Sequence, residues 1–268
     1  MKLHGRRVVV TGAAGTIGRA LTATLEAGGA RVVGLDLAGA TIHCDLTDAG
    51  QVRAAVATAV DRLGGLDLLV NNAGIGGPAP AELAPDAVVR RQLEVNLLAA
   101  WSTTAAAIPA LEESRGRIVF IASRMALLPL PLAAAYGVSK RALVAYADAL
   151  RLEVGTHIGV SVVYPSMVAS PIHDSTAAAG LSLDGVSRFE PVEGVVAAVL
   201  RAATARRAPA DLATTGRGRV ELAVARHFPG LARRLVTRTV AGRLAAGAFD
   251  SAPLAAGLRR RGLPPGSA

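Results

Sequence analysis

Short runs rich in β-branched residues alternate along this chain with longer segments rich in alanine, and this alternation constrains the fold more than any other feature. The runs that read as strands are RRVVV, RVVGLD, LDLLVN, RIVFIA and GVSVVYP. The segments long enough to be crossover helices are residues 17–28, 51–63, 85–113 and 136–154. Repeated strand and helix units with right-handed crossovers predict a doubly wound α/β fold, in which helices cover both faces of a parallel sheet.

Length and composition indicate one compact domain with an extension. The chain has 268 residues, of which 51% are apolar but only 3% are aromatic, so its core must consist mainly of Ala, Val and Leu. After Pro165 the alternation lapses into Ser, Pro, Gly and Ala, a composition typical of a mobile loop beside a site. We expect a Rossmann-like main domain at residues 1–216, with a lid at about 166–190, followed by a tail at residues 217–268.

The positive charge of the chain lies in this tail. The net charge is +9, but residues 201–268 alone carry 13 Arg against three acidic residues, so residues 1–200 sum to −1. Because the excess lies outside the main domain, we expect no nucleic-acid partner. Cys44 is the only cysteine, which excludes an internal disulfide and favours a cytoplasmic location, and the spacing of the five histidines predicts no metal site. Neither a secretion signal nor a membrane-spanning segment is expected.

The tail carries a basic amphipathic pattern between residues 218 and 249. Its apolar face consists of Val220, Val224, Phe228, Leu231 and Leu235, and the opposite face carries Arg219, Arg226 and Arg233. Such a helix can rest on an anionic membrane surface, which would give the protein a peripheral membrane contact. The alternative, in which the apolar face packs on the domain or on another subunit, is favoured because half-buried helices are far more common. Pro229 is expected to bend or break the helix.

A glycine-rich turn lies between the first strand and the first helix. The sequence TGAAGTIG places Gly12, Gly15 and Gly18 where the backbone must turn sharply and approach a pyrophosphate, which the first amides of the helix would face. Asp36 ends the second strand, where a carboxylate can accept hydrogen bonds from both ribose hydroxyls of an adenosine and would repel a 2′-phosphate. NAD is therefore preferred over NADP as the cofactor. Asp45, in CDLTD, contacts the adenine edge, or else this segment has a plain helix-capping role. Residues 1–216 are thus expected to form the NAD-binding domain.

Tyr136 and Lys140 are the strongest candidates for a catalytic pair. They lie four residues apart in YGVSK at the start of a predicted helix, so their side chains share one face. A cation about 4 Å from a phenol contributes roughly 4 kcal/mol at intermediate dielectric, which would bring the phenol pKa from ~10 to about 7. A phenol tuned in this way exchanges a proton with an alcohol or carbonyl oxygen near neutral pH. The alternative is an ordinary helix with a surface Lys and a half-buried Tyr.

Several motifs together resemble the short-chain dehydrogenase/reductase family over about residues 6–200. TGAAGTIG resembles the cofactor turn of that family, NNAG at residues 71–74 its sheet-stabilising motif, and YGVSK its active site. The resemblance implies that Tyr136 is the general acid/base and that Lys140 lowers its pKa and binds the nicotinamide ribose. It also implies that Ser123 orients the reacting oxygen and that Asn96 holds a water in the proton relay. A homodimer or homotetramer is the oligomeric state that the family suggests.

The cofactor contacts expected from the turn and from this resemblance extend over several loops. The full set is Gly12, Gly15, Thr16, Ile17, Gly18, Asp36, Asp45, Leu46, Asn72, Ala73, Gly74, Tyr136, Lys140, Pro165 and Val168. Three positions depart from the family pattern. Thr16 and Ser166 stand where Gly is common, and Ser170 stands where Thr is usual.

The expected function is NAD-dependent interconversion of a largely apolar secondary alcohol and its ketone, because the predicted lid is rich in Ala, Leu, Val and Ile. Arg124, directly after Ser123, either contacts a substrate carboxylate or is a solvated loop residue. Two other functions stay open. One is an epimerase or dehydratase that uses NAD internally, because the glycine spacing is more typical of epimerase-like members. The other is a non-catalytic NAD-sensing protein, because the fold alone does not establish catalysis.

Overall fold

A parallel sheet of seven strands lies at the centre of the molecule, whose computed structural model describes residues 3–181 and 189–263. The strands in chain order are β1 (Arg7–Thr11), β2 (Arg31–Asp36), β3 (Ile42–His43), β4 (Leu68–Asn71), β5 (Arg117–Ile121), β6 (Gly159–Tyr164), β7 (Met167–Val168), β8 (Phe189–Glu190) and β9 (Asp211–Ala213). The central sheet has the order β3-β2-β1-β4-β5-β6-β9, and every neighbouring pair in it is parallel. β7 and β8 form a separate parallel pair.

Helices cover both faces of this sheet. In chain order they are α1 (Thr16–Ala27), α2 (Ala49–Leu63), α3 (Ala87–Leu93), α4 (Ala99–Ser114), α5 (Ala134–Glu153), α6 (Asp174–Ala178), α7 (Val192–Thr204), α8 (Gly216–His227), α9 (Pro229–Ala245) and α10 (Ala256–Arg261). A π-helical turn, Glu94–Leu98, joins α3 to α4. Short 3₁₀ turns lie at Arg124–Ala126, Pro171–His173 and Pro253–Ala255. α1 and α7 pack together on one face, and α2, α4 and α5 cover the other.

Two apolar cores, one on each face of the sheet, hold these layers together. In β1, Val8 and Val10 belong to the core under α1 and α7, whereas Val9 belongs to the core under α2 and α4. All three side chains are fully buried, which is why the strand is a continuous apolar run. Each buried side chain of this size contributes about 1.5–3 kcal/mol, so Val and Leu supply the stability that aromatic residues provide in other cores.

The predicted doubly wound α/β fold is confirmed, together with its five strands and their crossover helices. The sequence analysis missed β3 and β9, because runs of two and three residues are too short to show a hydrophobic period. The segment predicted as one helix at residues 85–113 is divided by the π-helical turn. The predicted lid contains β7, α6 and β8, and its residues 182–188 lie outside the described residues.

The tail folds as α8 and α9, which separate at Phe228 and Pro229 as predicted. Two ion pairs attach α8 to the rest of the molecule. Arg226 pairs with Asp211 of β9, and Glu221 pairs with Arg124 at the end of the β5 segment. The tail is thus fixed to the edge strand of the sheet and to a loop beside the site.

The apolar face predicted for the tail points away from its own domain. The side chains that expose half or more of their surface are Val220, Phe228, Leu231 and Leu235. The buried contacts of α8 and α9 come instead from Ala225, Ala232 and Val240. The interpretation that this face packs on its own domain is therefore wrong, because other side chains of the tail make those contacts. Packing of the exposed face on another subunit stays a prediction. Within the described part of the chain, no helix combines the length and the apolarity needed to cross a bilayer.

Candidate active site

The glycine-rich turn closes tightly on its own backbone and on the segment after β4. Gly12 has a φ of +63°, and a Cβ there would lie 2.8 Å from the Cα of Ala73. A Cβ at Gly18 would lie 2.1 Å from the carbonyl oxygen of Gly12. α1 begins at Thr16 directly after Gly15, and no side chain caps its first amides. Because these amides carry the positive end of the helix dipole, the turn can hold a pyrophosphate.

Asp36 is fixed beside this turn at the end of β2. Its Oδ2 accepts a hydrogen bond of 2.9 Å from the amide of Ala14, and its Oδ1 accepts one of 2.7 Å from the amide of Leu37. The carboxylate therefore lies at the carboxyl ends of the parallel strands, the edge at which nucleotides bind in open α/β sheets. This position suits a carboxylate that accepts hydrogen bonds from ribose.

The NNAG motif joins β4 to β1 behind the turn. Thr11 Oγ1 accepts hydrogen bonds from the amides of Asn72 and Ala73, at 3.0 and 3.1 Å. Asn72 Nδ2 donates to the carbonyl oxygens of Thr11 and Gly12, each at 3.0 Å. These bonds attach the glycine-rich turn to the neighbouring strand, which is the sheet-stabilising role that the resemblance implied. The contribution of Thr11 was not predicted.

Asp45 stabilises a local turn. Its Oδ1 accepts hydrogen bonds from the amide and the hydroxyl of Thr47, at 2.9 and 2.7 Å. The bond from the Thr47 amide is the main reason that the pKa of Asp45 is lowered. The cap of α2 is Asp48, whose side chain accepts from the amides of two residues in the first helical turn. The helix-capping role predicted for the CDLTD segment is thus confirmed at Asp48, and an adenine contact from Asp45 or Leu46 stays a prediction.

Ser123, Tyr136 and Lys140 meet at the carboxyl end of β5. The Ser123 hydroxyl forms a hydrogen bond with the Tyr136 side chain. Lys140 lies one turn after Tyr136 on α5, with its Nζ 5.9 Å from the centre of the Tyr136 ring. The same Nζ donates a hydrogen bond of 2.9 Å to the carbonyl oxygen of Ile121. The predicted trio is therefore assembled, and its two α5 members share one helix face as expected.

Burial controls the protonation of Tyr136 and Lys140. Desolvation raises the pKa of Tyr136, and its hydrogen bond with Ser123 offsets only part of that effect, although the ring keeps some surface open to a cleft. Desolvation also lowers the pKa of Lys140 to about 8. Burial thus opposes the lowering of the Tyr136 pKa that was expected from Lys140, and this role of Lys140 stays a prediction. Loss of water around both groups disfavours the phenolate and the ammonium alike.

Asn96 lies in the π-helical turn between α3 and α4, an irregularity that is frequent at functional sites. Its Nδ2 donates to the carbonyl oxygen of Ile75 and to Ser139 Oγ, each at 2.9 Å, and its Oδ1 accepts from the Ile75 amide at 2.8 Å. A Cβ at Gly74 would lie 3.1 Å from Lys140 Nζ and 3.2 Å from Asn96 Oδ1. A side chain at this position would therefore push one or both polar groups aside.

A buried carboxylate that the sequence analysis missed holds the segment after β6. Glu190 is 8% exposed and accepts a hydrogen bond of 2.8 Å from the amide of Ser166. Thr214 Oγ1 donates to both oxygens of the same carboxylate, at 2.7 and 2.8 Å. Glu190 also pairs with Val168 between β8 and β7. No motif marks a glutamate in so short a strand, so only the tertiary contacts reveal its position.

The environment of Arg124 differs from both predictions, a contact with a substrate carboxylate and a solvated position in a loop. Its side chain is only 13% exposed and pairs with Glu221 of α8. Burial lowers its pKa. Its amide donates a hydrogen bond of 2.9 Å to the carbonyl oxygen of Pro165, which links the segments after β5 and β6. Arg124 is thus neither a solvated loop residue nor a lining residue of the cleft, and the sequence interpretations of it are wrong.

An apolar cleft opens in front of Tyr136. Its apolar lining includes Met125, Leu132, Ile172, Leu181 and Phe249, and its polar lining includes Tyr136, His173 and Thr176. Burial lowers the pKa of His173, whose Nε2 lies 3.1 Å from the carbonyl oxygen of Val168, so this imidazole is neutral at pH 7. The cleft therefore suits an uncharged, apolar molecule that presents one oxygen to Tyr136.

Known proteins share both the sequence and the fold of this chain. A family model described as short chain dehydrogenase matches residues 6–179. The 1-deoxy-11-beta-hydroxypentalenate dehydrogenase of Streptomyces exfoliatus is 37% identical over 220 residues, which cover 73% of this chain and 80% of that protein. The chain belongs to the short-chain dehydrogenase/reductase family. The resemblance carried by the motifs is thereby confirmed.

Two further short-chain dehydrogenase/reductase proteins extend the comparison. The trans-4-hydroxycyclohexanecarboxylate dehydrogenase of Sinomonas cyclohexanicum is 34% identical over 170 residues, covering 63% of this chain and 65% of that protein. The structure of 3-ketoacyl-(acyl-carrier-protein) reductase from Brucella melitensis complexed with NADH is 25% identical, with a TM-score of 0.70 over 81% of this chain and 100% of that chain. As a member of this family the protein is an oxidoreductase acting on alcohols. The roles of its individual residues stay predictions.

Proposed function

We propose that this short-chain dehydrogenase/reductase interconverts an apolar, alicyclic secondary alcohol and its ketone, with NAD as the hydride carrier. The observation that carries the proposal is the convergence of three groups, one of which, Tyr136, lines an apolar cleft. Ser123, Tyr136 and Lys140 all lie at the sheet edge that also carries the glycine-rich turn. A proton donor, an oxygen-binding hydroxyl and a nucleotide-binding turn are the parts that carbonyl reduction requires.

The chain's own residues handle the proton and the reacting oxygen, while bound nicotinamide supplies or accepts the hydride. In ketone reduction, the Ser123 hydroxyl orients the carbonyl oxygen and Tyr136 gives that oxygen its proton. The raised pKa of Tyr136 keeps the phenol protonated at neutral pH, which suits a general acid. The ammonium of Lys140 stabilises the phenolate that forms, and Asn96 keeps Ser139 and the backbone of Ile75 in place beside it. In alcohol oxidation the proton returns to Tyr136.

The residues around the turn fit a dinucleotide, and they favour NAD over NADP. Gly12, Gly15 and Gly18 bring uncapped backbone amides to the position of a pyrophosphate. The Asp36 carboxylate lies where the adenosine ribose would bind and would repel a 2′-phosphate. The other proposed contacts come from Thr16, Ile17, Leu46, Asn72, Ala73, Gly74, Pro165 and Val168. The Asp36→Ala variant should lower the preference for NAD over NADP by about 10- to 100-fold, measured as a ratio of kcat/KM values.

The lining of the cleft supports a neutral substrate with a carbocyclic body. Among the described residues that line it there is no Lys or Arg, and Arg124 is already paired with Glu221. One relative is named for a hydroxycyclohexanecarboxylate, in which a six-membered carbon ring carries a hydroxyl group and a carboxylate, and the ring is the part that supports the proposal here. A ring ketone without a charged group fits the apolar walls and presents its single oxygen to Tyr136.

The test is a panel of cyclic alcohols and ketones, followed by NADH absorbance and repeated with NADP. Tyr136→Phe should lower turnover by about 100-fold or more while NADH binding, measured by fluorescence, is retained. Tyr146→Phe is the matched control, because Tyr146 lies on the same helix but stacks on Trp101 instead of lining the cleft. Near-normal turnover by Tyr136→Phe would contradict the proposal. Turnover without net NADH formation would indicate an epimerase or dehydratase, and binding without turnover would indicate an NAD sensor.

We propose that α4 and α5 form the interface between copies of this chain in a homodimer or homotetramer. Apolar side chains that expose half or more of their surface lie on or beside these helices, at Leu98, Trp101, Val138 and Leu152. Light scattering after gel filtration should give a mass of two or four chains for the wild type. Trp101→Glu should reduce the assembled fraction, because a buried unpaired charge destabilises an interface. A monomeric wild type would refute this arrangement.

For the exposed tail face, we propose an anionic membrane surface as the partner. Val220, Phe228, Leu231 and Leu235 present apolar groups on helices that also carry many arginines, and this combination complements acidic lipid headgroups. The protein should co-sediment with vesicles that contain phosphatidylglycerol and less with vesicles of phosphatidylcholine alone. A double change of Leu231→Ser and Leu235→Ser should weaken this binding. Absence of binding at low salt would refute the membrane contact.

A further inference from the structure

The C-terminal tail returns to the cleft through one side chain, Phe249. After α9 ends at Ala245, the chain turns at Gly247, where φ is +73° and a Cβ would lie 2.8 Å from Asp250 Oδ2. The turn therefore requires glycine. It places Phe249, which is only 6% exposed, in the lining of the same cleft as Tyr136. A residue far from the catalytic motifs in sequence thus forms part of the wall beside the reacting groups.

Phe249 is held firmly by a third apolar cluster, separate from the two sheet cores. The buried members of this tail cluster are Leu132, Leu181, Val240, Phe249, Ala252 and Ala255. The Arg243 guanidinium lies 5.8 Å from the centre of the Phe249 ring, within the range of a cation–π contact. Since the ring is packed on several sides and covered by a cation, it cannot swing away easily to admit a larger ligand.

The tail cluster also supports the segment that leads to Tyr136. Leu132 has a φ of +64°, a left-handed conformation that is unfavourable for a residue with a branched side chain. Two backbone hydrogen bonds hold the segment, from the Ala79 amide to the Leu132 carbonyl at 2.7 Å and from the Ala134 amide to the Ala79 carbonyl at 3.0 Å. The Leu132 side chain is buried in the tail cluster and also lines the cleft. The tail therefore shapes two walls of the cleft, one directly through Phe249 and one through Leu132.

We propose that Phe249 is a specificity-determining residue that limits the bulk of the ring system bound beside Tyr136. The inference rests on the proposed function, since it assumes that the cleft binds the ketone or alcohol. It assigns monocyclic ketones as the preferred class and fused-ring ketones as the class that Phe249 excludes. Truncation of the ring opens space next to the substrate without removing Ser123, Tyr136 or Lys140.

The experiment compares cyclohexanone with decalone, its fused-ring analogue, as substrates of the full chain. In Phe249→Ala, the ratio of kcat/KM for decalone to that for cyclohexanone should rise at least about tenfold above the wild-type ratio. Phe249→Leu should give an intermediate rise, and it carries the test if the Ala variant does not fold. Phe228→Ala is the matched control. Phe228 is a phenylalanine of the same tail that is 62% exposed and lies outside the cleft lining, so its loss should leave the ratio unchanged.

An unchanged ratio in both Phe249 variants, with folding confirmed by circular dichroism, would overturn the inference. A wild type that reduces neither ketone would count against the proposed function instead. In that case calorimetric titration of decalone into the NADH-bound protein decides the role of Phe249. Binding that is at least about tenfold tighter in Phe249→Ala supports the inference, and equal binding refutes it.

Discussion

Lys140 should reduce the stability of the folded protein in a way that depends on pH. Its folded-state pKa of about 8 lies below its ordinary value of 10.5, because burial disfavours the ammonium. Between these two pKa values the unfolded chain therefore binds more protons than the folded chain. The loss of folding stability caused by Lys140 is thus complete at low pH and fades as the pH rises towards 10.5. The difference between the two pKa values of Lys140 lowers the free energy of unfolding by about 3 kcal/mol below pH ~8. Between pH ~7 and pH ~9.5 about 2 kcal/mol of this loss should disappear.

The Lys140→Met variant measures this penalty, since methionine fills a similar volume without the charge. Urea unfolding at both pH values gives the free energy of unfolding for each protein. The wild type should gain about 2 kcal/mol relative to Lys140→Met on going from pH ~7 to pH ~9.5, while the variant loses turnover at both. The wild type and the variant share all other titrating groups, so the difference between their free energies of unfolding cancels the contribution of those groups. Arg141→Met, a change at the adjacent exposed position, is the control and should show a constant difference. A constant difference for Lys140→Met as well would refute the reasoning.

Three further results are expected. Gly74→Ala should lower kcat by up to about tenfold with little change in melting temperature, because the new Cβ pushes Lys140 Nζ aside by a fraction of an ångström; normal steady-state kinetics would contradict this. Glu190→Ala should lower the free energy of unfolding by about 1–3 kcal/mol, measured in urea, because it leaves the Ser166 amide and the Thr214 hydroxyl without their acceptor; an unchanged transition would argue against it. The rate of ketone reduction should fall as the pH rises through about 8, where Lys140 loses its charge, and a flat profile from pH ~7 to ~9.5 would exclude that role.

Features that depend on local geometry were predictable from the sequence. Gly12 and Gly18 lie in a strand-to-helix turn whose shape follows from a few neighbouring residues, and both proved too crowded for a side chain. Tyr136 and Lys140 are one helical turn apart, so their shared face followed from the period of an α-helix. The break at Pro229 followed from the missing amide of proline.

Features that depend on long-range contacts were missed or predicted wrongly. Glu190 and Phe249 are unremarkable in the sequence, and each acquires its position from partners distant along the chain. The prediction that the apolar face of the tail packs on its own domain was also wrong. Helical periodicity identifies an apolar stripe but not the surface that covers it, and here the predicted stripe is largely exposed while other side chains, such as Val240, face the domain.

The sequence by itself thus determined the alternation of five main strands with their crossover helices, the glycine-rich turn and the pairing of an aromatic hydroxyl with an amine on one helix. Only the tertiary structure decided how those two groups ionise and which walls surround them. Spacing within a single helix or turn is set by backbone geometry, whereas desolvation depends on everything that packs around a group. Burial raises the pKa of Tyr136 and lowers that of Lys140 for this reason, and no pattern of neighbouring residues carries that information.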